Sequence, residues 1–219
     1  MLIVSAVYDA PGRQYRKMAE NLRKSAEIQG YAVILKELND DPMDLVRSAH
    51  DYRVNCFFKP HVILEALNAL NEDVVWVDGD CLIRERFDEI LVNCDVAVTL
   101  RRFRPNTIRD VYDGYINAGV MAFRNCDATK RFIECWISEQ PHGRADQDAL
   151  NRVLLNYTDM NQYGEIVNID GCLVKVVPCD IYNFFFFPED HSKAKILHVK
   201  GSLRPDHYDR LASEVLGVQ

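Results

Sequence analysis

The sequence predicts an α/β fold with a mostly parallel central sheet flanked by helices. Short apolar runs alternate with amphipathic stretches through the first third of the chain, which is typical of successive strand–helix units. The first run, from Leu2 to Tyr8, is apolar almost throughout, as expected for a strand covered on both faces. Gly and Pro residues punctuate the runs and mark their ends.

The first half of the chain contains three predicted strands and two predicted helices. The opening run is the first strand, and a helical stripe follows it until Gly30, a natural helix stop. A second strand is predicted at 31–38. Another helical stripe has Pro60 near its start, and a strand at 73–77 comes after it. The two stripes consist of Tyr15, Met18, Ala19, Leu22 and Ala26, and then of Ile63, Ala66, Leu67 and Leu70.

The second half of the chain is less regular. Strands are predicted at 96–100, 116–123, 166–169, 173–177 and 195–199. Helices are predicted to begin near Asp127, Asp146 and Pro205. The length of 219 residues fits one domain, so we expect a single domain over 1–219.

Composition excludes several classes of function. The formal net charge is -7, which argues against nonspecific nucleic-acid binding through excess Lys and Arg. The 7 Cys residues show no close C-x-x-C spacing, and we expect buried free thiols in a reducing compartment. The N-terminus lacks the pattern of a signal peptide, and no apolar run approaches membrane-spanning length. These features predict a soluble cytoplasmic protein.

Asp78-Gly79-Asp80 is the most informative motif of the chain. It directly follows the predicted strand at 73–77, at the sheet edge where ligands bind in open α/β folds. Two carboxylates one residue apart can turn toward one hard cation such as Mg²⁺ or Mn²⁺, which also hold diphosphates. Asp is also common after strands as a turn former or helix cap, so the motif by itself leaves both interpretations open.

Three further segments carry polar residues at predicted element ends. Asn117-Ala118-Gly119 lies in a predicted strand, where Gly permits close packing and the Asn amide can bind hydroxyls. Asp146-Gln147-Asp148 opens a predicted helix, where a carboxylate also favours the helix dipole. His198 ends an apolar strand and precedes Lys200, Gly201 and Arg204, which suit an oxyanion. A satisfied core histidine is the alternative for His198.

These four segments, in this order, resemble the retaining GT-A glycosyltransferases. Among them, the chain particularly resembles glycosyltransferase family 8, which includes glycogenin and bacterial lipooligosaccharide galactosyltransferases. A related group of small nucleotide-diphospho-sugar transferases is equally compatible. The family pattern runs D-x-D, N-A-G, D-Q-x-x-L-N and H-x-x-G-x-x-K-P. This chain departs from it at Arg204, where Lys is usual, and at Asp206, where Trp is frequent.

The resemblance implies a Rossmann-like GT-A fold and a metal-dependent hexosyltransferase. It would move a sugar from a UDP-sugar to a glycan or other hydroxyl acceptor, with retention at the anomeric carbon. The implied metal ligands for Mn²⁺ or Mg²⁺ are Asp78, Asp80 and His198. The implied donor-binding residues are Ala6, Tyr8, Asp9, Lys59, Asp78, Gly79, Asn117, Lys200, Gly201 and Arg204. The implied residues near the reacting carbon are Asp146, Gln147 and Asp148, with Asp148 as base or nucleophile if a carboxylate acts.

Alternatives remain open from the sequence. A phosphatase or phosphotransferase of the haloacid dehalogenase type also places D-x-D after a strand, although its motif continues Gly-Thr and lies near the N-terminus. A non-catalytic nucleotide-sugar-binding module is the third hypothesis. The basic stretch 101–113 is either a loop over the ligand or a solvated loop. Tyr182, Asn183 and residues 184–187 form either an acceptor platform or core packing.

Overall fold

The computed structural model describes residues 1–7, 14–38, 58–101, 116–140, 146–155, 163–200 and 204–217. The strands are β1 (Leu2–Val7), β2 (Ala32–Glu37), β3 (Val74–Val77), β4 (Cys81–Ile83), β5 (Val96–Leu100), β6 (Ile116–Phe123), β7 (Ile166–Ile169), β8 (Cys172–Pro178) and β9 (Ile196–His198). The helices are α1 (Tyr15–Ile28), α2 (Lys59–Ala69), α3 (Asp127–Glu139), α4 (Asp146–Leu155), α5 (Cys179–Tyr182) and α6 (Arg204–Leu216), with a 3-10 helix at Asp88–Leu91.

Seven strands form the central sheet in the order β2-β1-β3-β6-β5-β8-β7. β1 is parallel to β2 and to β3, and β5 is parallel to β8. β6 is antiparallel to both β3 and β5, and β7 is antiparallel to β8. β1, β2, β3, β5 and β8 therefore share one direction, which confirms the predicted mostly parallel sheet.

The reversed direction of β6 places its first residues beside the end of β3. Val77 pairs with Val120, and the Asp78 N–H donates to the Gly119 carbonyl at 2.8 Å. The start of β6 therefore lies at the sheet edge that also receives the residues after β3. Sequence periodicity identified both strands and gave no indication of their relative direction.

A second, two-stranded sheet was not predicted. β4 begins directly after Asp80 and pairs antiparallel with β9, so that Cys81 lies opposite His198. The Val199 N–H donates to the Asp80 carbonyl at 3.1 Å and extends this pairing. The short β4 strand therefore brings the acidic motif after β3 to the histidine that ends β9. The 3-10 helix and α5 were also absent from the prediction.

The helices pack on the sheet through the apolar stripes that the sequence showed. α1 buries Met18, Ala19, Leu22 and Ala26, and Gly30 follows it with a φ of 77°. Burying each large aliphatic side chain stabilises the fold by about 1.5–3 kcal/mol. α2 begins with Lys59-Pro60, where Pro is favoured because the first helical N–H groups have no partner in the helix.

The expected free thiols are present in the described part of the chain. Cys81, Cys94, Cys172 and Cys179 are buried, Cys126 is half-buried and Cys135 is exposed. Cys56 lies outside the described residues. No helix in the described ranges has the length and apolar character needed to cross a membrane.

Candidate active site

Asp78, Asp80 and His198, which the resemblance implied as ligands, come together at the edge of the central sheet. His198 Nε2 lies 3.1 Å from Asp80 Oδ1 and 3.7 Å from Asp78 Oδ2. Asp80 and His198 are 6% and 2% exposed, so water screens these groups little. A carboxylate pair and an imidazole nitrogen therefore converge on one small region.

The His198 ring is oriented by a hydrogen bond at its other nitrogen. Nδ1 lies 2.7 Å from Asn183 Oδ1, which accepts hydrogen bonds, so Nδ1 carries a proton. Burial lowers the pKa of His198, and the neutral ring then presents the lone pair of Nε2 to the two carboxylates. The neutral ring nitrogen and the two carboxylates are all acceptors, and a cation that lay among them would satisfy all three.

The donor set fits a divalent cation that accepts oxygen and imidazole ligands. Asp80, Cys81 and His198 form a cluster whose ligand atoms all lie within 4.8 Å of one another. Burial raises the pKa of the Cys81 thiol well above its usual range. Carboxylate oxygens and a neutral imidazole suit Mn²⁺ or Mg²⁺ better than a thiol-selecting metal.

Asp78 lies slightly apart from this cluster, because its Oδ1 atom has other partners. Asp78 Oδ1 accepts a hydrogen bond from Trp76 Nε1 at 2.9 Å and pairs with Lys59 Nζ at 2.8 Å. Only Oδ2 faces His198. Asp78 therefore connects the candidate cation site to a lysine, an arrangement that the D-x-D spacing did not reveal.

Lys59 lies between two carboxylates and the start of β6. Its Nζ also donates to the Ala118 carbonyl at 3.1 Å and lies 3.9 Å from Asp146 Oδ2. The side chain is 15% exposed, so this ammonium is held mostly by protein groups. Lys59 is the first residue of α2, which brings its side chain to these groups.

Asp146 is a buried carboxylate at the start of α4. Its Oδ1 accepts the Gln147 N–H at 2.6 Å, whereas Oδ2 has no hydrogen-bond partner among the described residues. Burial raises the pKa of Asp146 to about 7, against the opposing effect of Lys59. An acceptor oxygen without a donor in a buried position favours a ligand hydroxyl as its partner.

Gln147 and Asp148 occupy different environments although they are neighbours. Gln147 Oε1 accepts hydrogen bonds from Asn117 Nδ2 and from the Ala118 N–H, both at 3.2 Å. Asp148 instead pairs with Arg152 on the same helix, at 3.5 Å. The structure therefore joins Asn117 and Gln147 through a side-chain hydrogen bond, whereas Asp148 has its ion pair within α4.

Two cations contact one aromatic ring beside the candidate cation site. Lys200 Nζ lies 4.1 Å from the Phe185 ring centroid, and Arg101 Cζ lies 5.9 Å from it. The Phe185 and His198 rings are 6.4 Å apart. Burial and the nearby Arg101 lower the pKa of Lys200 to about 8. This positive cluster suits an anionic ligand group.

The end of β1 meets the acidic motif, as expected for strands that end at the same edge. A Cβ placed on Gly79 would lie 3.5 Å from the Ala6 carbonyl oxygen. Tyr8, Asp9 and Gly201 lie outside the described residues, as do 102–113 of the basic stretch. Arg204 is the first residue of α6, and its side chain is not described.

The sequence left Asn183 open between an acceptor platform and core packing, and it gave no role to Thr99. Asn183 is fully buried behind His198, so its side chain is not exposed to an acceptor. Thr99 Oγ1 accepts from Asn183 Nδ2 at 2.8 Å. Among the four Phe residues, Phe184, Phe186 and Phe187 are in the core, as the packing alternative predicted. An isolated Asn after Tyr182 gave no periodic signal.

No protein-family model matches the sequence, and no curated protein matches it either. Solved structures do match its fold. A glycosyltransferase involved in the glycosylation of the major capsid of PBCV-1 matches with a TM-score of 0.61 and 15% identity. The alignment covers 98% of this chain and 100% of that one.

The glycosyltransferase GlyE of Streptococcus pneumoniae TIGR4 matches with TM-scores of 0.54 and, in its apo form, 0.55. The identities are 14% and 15%, and the alignments cover all of this chain and 60% of GlyE. The chain therefore has a mixed α/β, GT-A-like fold, which confirms the fold class that the motifs implied. At this level of identity the likeness establishes the fold.

Proposed function

We propose that the protein is a metal-dependent glycosyltransferase of the retaining GT-A type, similar to family 8. It transfers a hexose from a UDP-sugar to a hydroxyl group of a glycan acceptor. The observation that carries this proposal is the convergence of Asp78 Oδ2 and Asp80 Oδ1 on His198 Nε2, at 3.7 and 3.1 Å. The glycosyltransferase fold of the matching structures supports it.

Asp78, Asp80 and His198 would hold Mn²⁺ or Mg²⁺. Such an ion, when bound, neutralises negative charge on a diphosphate and on the phosphate that leaves the sugar. Asp80 and His198 are buried and braced by the β4–β9 pairing, so they need little rearrangement to bind. Preorganised groups of this kind stabilise charge as it develops.

Lys200 and Arg101 form the cationic side of the proposed donor site. Both lie over Phe185, next to His198, where a diphosphate held by the ion would be within their reach. Gly201 and Arg204 follow in the chain and belong to the same proposed phosphate-binding segment. Ala6 lies in β1, and Ala6, Tyr8 and Asp9 are proposed to meet the base and ribose of the donor.

The sugar is proposed to lie against Asn117, Asp146 and Gln147. The Asp146 Oδ2 atom can accept a hydrogen bond from a sugar hydroxyl. Gln147 Oε1 already accepts two hydrogen bonds from the start of β6, which fixes this amide as a positioning group and disfavours a role as nucleophile. Lys59 links Asp146 to Asp78 and joins the sugar side of the site to the cation side.

Retention is proposed to follow from attack on the same face as the leaving group. The bond between the anomeric carbon and the phosphate oxygen breaks, and the acceptor hydroxyl oxygen forms the new bond to that carbon. The hydroxyl proton passes to the leaving phosphate, so the step needs no protein nucleophile. Asp148 is paired with Arg152, which makes it the weaker candidate for a carboxylate that acts directly.

Calorimetric titration of a nucleotide-sugar panel, with and without Mn²⁺, tests the proposal. We expect Mn²⁺-dependent binding of one UDP-sugar, and loss of that binding in Asp80→Asn. Asp95→Asn is the matched control, because Asp95 precedes β5 at the opposite edge and receives the Leu173 N–H at 2.9 Å. Equal affinity in Asp80→Asn or in chelator would contradict the metal assignment.

Product analysis separates the proposal from its alternatives. Mn²⁺-dependent hydrolysis or transfer of the bound sugar, with release of UDP, is expected of a glycosyltransferase. Binding without turnover, in the presence of varied acceptors, would favour a nucleotide-sugar-binding module. Release of inorganic phosphate from phosphorylated substrates would favour the haloacid-dehalogenase-type alternative.

A further inference from the structure

Asn183 is a completely buried amide that lies directly behind His198. We propose that Asn183 is a positioning residue, which holds the proton of His198 on Nδ1 and thereby keeps Nε2 available to a divalent cation. The inference rests on the proposed function, because it assigns a role toward the cation of that same site. It concerns a residue that lies outside the four motifs of the sequence.

The orientation of the Asn183 amide is determined by backbone groups two hydrogen bonds away. The Gly119 N–H donates to Asn117 Oδ1 at 2.9 Å, which identifies that atom as the oxygen of the Asn117 amide. Asn183 Nδ2 donates to the same Asn117 Oδ1 at 2.8 Å. The nitrogen of Asn183 therefore faces Asn117, and its oxygen must face His198 Nδ1.

A second backbone group gives the same orientation independently. The Ala118 N–H donates to Gln147 Oε1 at 3.2 Å, and Asn117 Nδ2 donates to that oxygen at 3.2 Å. The Asn117 amide is thus fixed at both of its ends. Backbone N–H groups cannot act as acceptors. A half-turn of either amide would therefore place donor against donor or acceptor against acceptor.

Thr99 completes the set of partners of Asn183. Asn183 Nδ2 donates its second hydrogen to Thr99 Oγ1 at 2.8 Å, and Thr99 Oγ1 donates to the Asn117 carbonyl at 2.8 Å. A rotated Asn183 amide would lose both of its donated hydrogen bonds. A proton on Nε2 alone would instead place the Nδ1 lone pair against Asn183 Oδ1 at 2.7 Å. Both alternatives leave buried polar groups without partners.

The fold delivers Asn183 to this position through local backbone pairing. Asn183 ends α5, with its N–H donating to the Cys179 carbonyl at 2.9 Å. Phe184 then pairs with the neighbouring strand β9: its N–H donates to the Ile196 carbonyl, and its carbonyl accepts the His198 N–H at 2.7 Å. Asn183 and His198 are therefore held in register by main-chain bonds on both segments.

Ligating histidines commonly donate their second ring N–H to a nearby acceptor, which fixes the tautomer and the ring orientation, and loss of that acceptor typically weakens metal binding about 10- to 100-fold. Here the acceptor is an amide whose own orientation is set by the start of β6. The hydrogen-bonded path from Gln147 through Asn117 and Asn183 to His198 therefore joins the proposed sugar side to the proposed cation side.

A pair of substitutions with similar shapes separates positioning from packing. Asn183→Leu keeps the approximate volume and removes the acceptor, whereas Asn183→Asp keeps an acceptor for Nδ1–H and loses the amide donors. Asn125→Leu is the matched control, because Asn125 lies just after the opposite end of β6 and donates to the carbonyls of Leu67 and Leu70. All variants are made in the full chain.

Two measurements are made on each variant. Mn²⁺ affinity is measured by electron paramagnetic resonance, with Mn²⁺ alone and with Mn²⁺ plus UDP. The protonation of each imidazole nitrogen is measured by long-range ¹H–¹⁵N correlation in histidine-labelled protein with Mg²⁺. The His198 signals are assigned as those that His198→Gln removes.

We expect Nδ1 of His198 to be protonated in the wild-type protein and in Asn183→Asp. In Asn183→Leu, that proton is expected to exchange between the two nitrogens, and Mn²⁺ affinity should fall about 10- to 100-fold relative to Asn125→Leu. Asn183→Leu binding Mn²⁺ as tightly as Asn125→Leu, or an unprotonated Nδ1 in the wild-type protein, would overturn the inference.

If Asn183→Leu does not fold, the wild-type and Asn183→Asp spectra still test the inference, because an unprotonated Nδ1 in either protein would overturn it. Failure of the proposed function has a different signature. A wild-type protein that binds neither Mn²⁺ nor UDP would remove the glycosyltransferase proposal, while the Nδ1 measurement would still determine whether Asn183 holds the imidazole.

Discussion

Gly119 and His198 are in such close approach that no side chain fits between them. A Cβ placed on Gly119 would lie 2.4 Å from His198 Cε1 and 2.5 Å from Nδ1. Real Cβ atoms do not come so close to other heavy atoms, so the ring would have to move. Position 119 of the Asn117-Ala118-Gly119 motif therefore requires Gly, because any side chain there would displace the His198 ring.

Gly119→Ala is expected to displace the His198 ring and to weaken Mn²⁺ binding at least about 10-fold, because ligand geometry limits affinity. The free energy of unfolding is expected to fall by about 1–3 kcal/mol from overpacking. Mn²⁺ titration and urea denaturation measure the two effects. Gly79→Ala is the control for stability, since its Cβ would meet nothing closer than 3.5 Å. A Gly119→Ala protein with unchanged Mn²⁺ affinity would contradict the steric argument.

Lys59→Met is expected to weaken donor binding about 10-fold or more. Among the described residues, removing the ammonium leaves Trp76 as the partner of Asp78 Oδ1 and takes away the positive charge beside Asp146. Uncompensated buried carboxylates repel each other and an anionic donor. The measurement is UDP affinity in the presence of Mn²⁺.

Lys36→Met is the matched control for this prediction. Lys36 forms an exposed pair with Glu65 at 2.8 Å, and such pairs contribute little to stability. Lys59→Arg should restore the affinity only in part, because a planar guanidinium cannot reproduce the bonds of Nζ to both Asp78 and the Ala118 carbonyl. Equal donor affinity in Lys59→Met and Lys36→Met would show that Lys59 has no part in donor binding.

Asp146→Asn is expected to change how stability depends on pH. Burial raises the pKa of Asp146 from its ordinary value of 3.8 to about 7. The contribution of this raised pKa to stability is fully present below about pH 4 and is lost as the pH rises through about 7. Urea denaturation between pH 4 and pH 8 measures the dependence.

The amide of Asn does not titrate, so the variant lacks this pH-dependent contribution to the free energy of unfolding. The difference in unfolding free energy between Asp146→Asn and the wild-type protein should therefore shift in favour of the variant, by up to about 1.4 kcal/mol per pH unit. The difference should become constant above about pH 7. A shift in the opposite direction would mean that the folded protein stabilises the ionised carboxylate.

Lys200→Met is expected to weaken UDP binding about 10-fold, because it removes a cation next to the proposed phosphate site. Phe185→Leu should weaken it by a smaller factor, about 2- to 5-fold, since a cation–π contact contributes about 0.5–1 kcal/mol. Isothermal titration with UDP and Mn²⁺ measures both. A larger effect from Phe185→Leu than from Lys200→Met would indicate that the ring itself contacts the nucleotide.

Much of the fold was readable from local patterns. The α1 stripe of Met18 and Leu22, the buried runs of β1, β3 and β6, and the start of α4 at Asp146 all agree with the sequence prediction. These features depend on the periodicity of apolar residues, which is a property of neighbours in the chain. The β4 strand escaped prediction because its three apolar residues stand between the charged Asp80 and Arg84 and form no longer run.

The sequence by itself determined which polar residues follow which elements, and so placed Asp78, Asp80 and His198 among the candidate ligands. Only the tertiary structure decided how they meet. The antiparallel direction of β6 and the pairing of β4 with β9 join segments far apart in the chain. Strand pairing and side-chain partners such as Asn183 depend on long-range packing and on the satisfaction of buried polar groups, and neither leaves a periodic trace in the sequence.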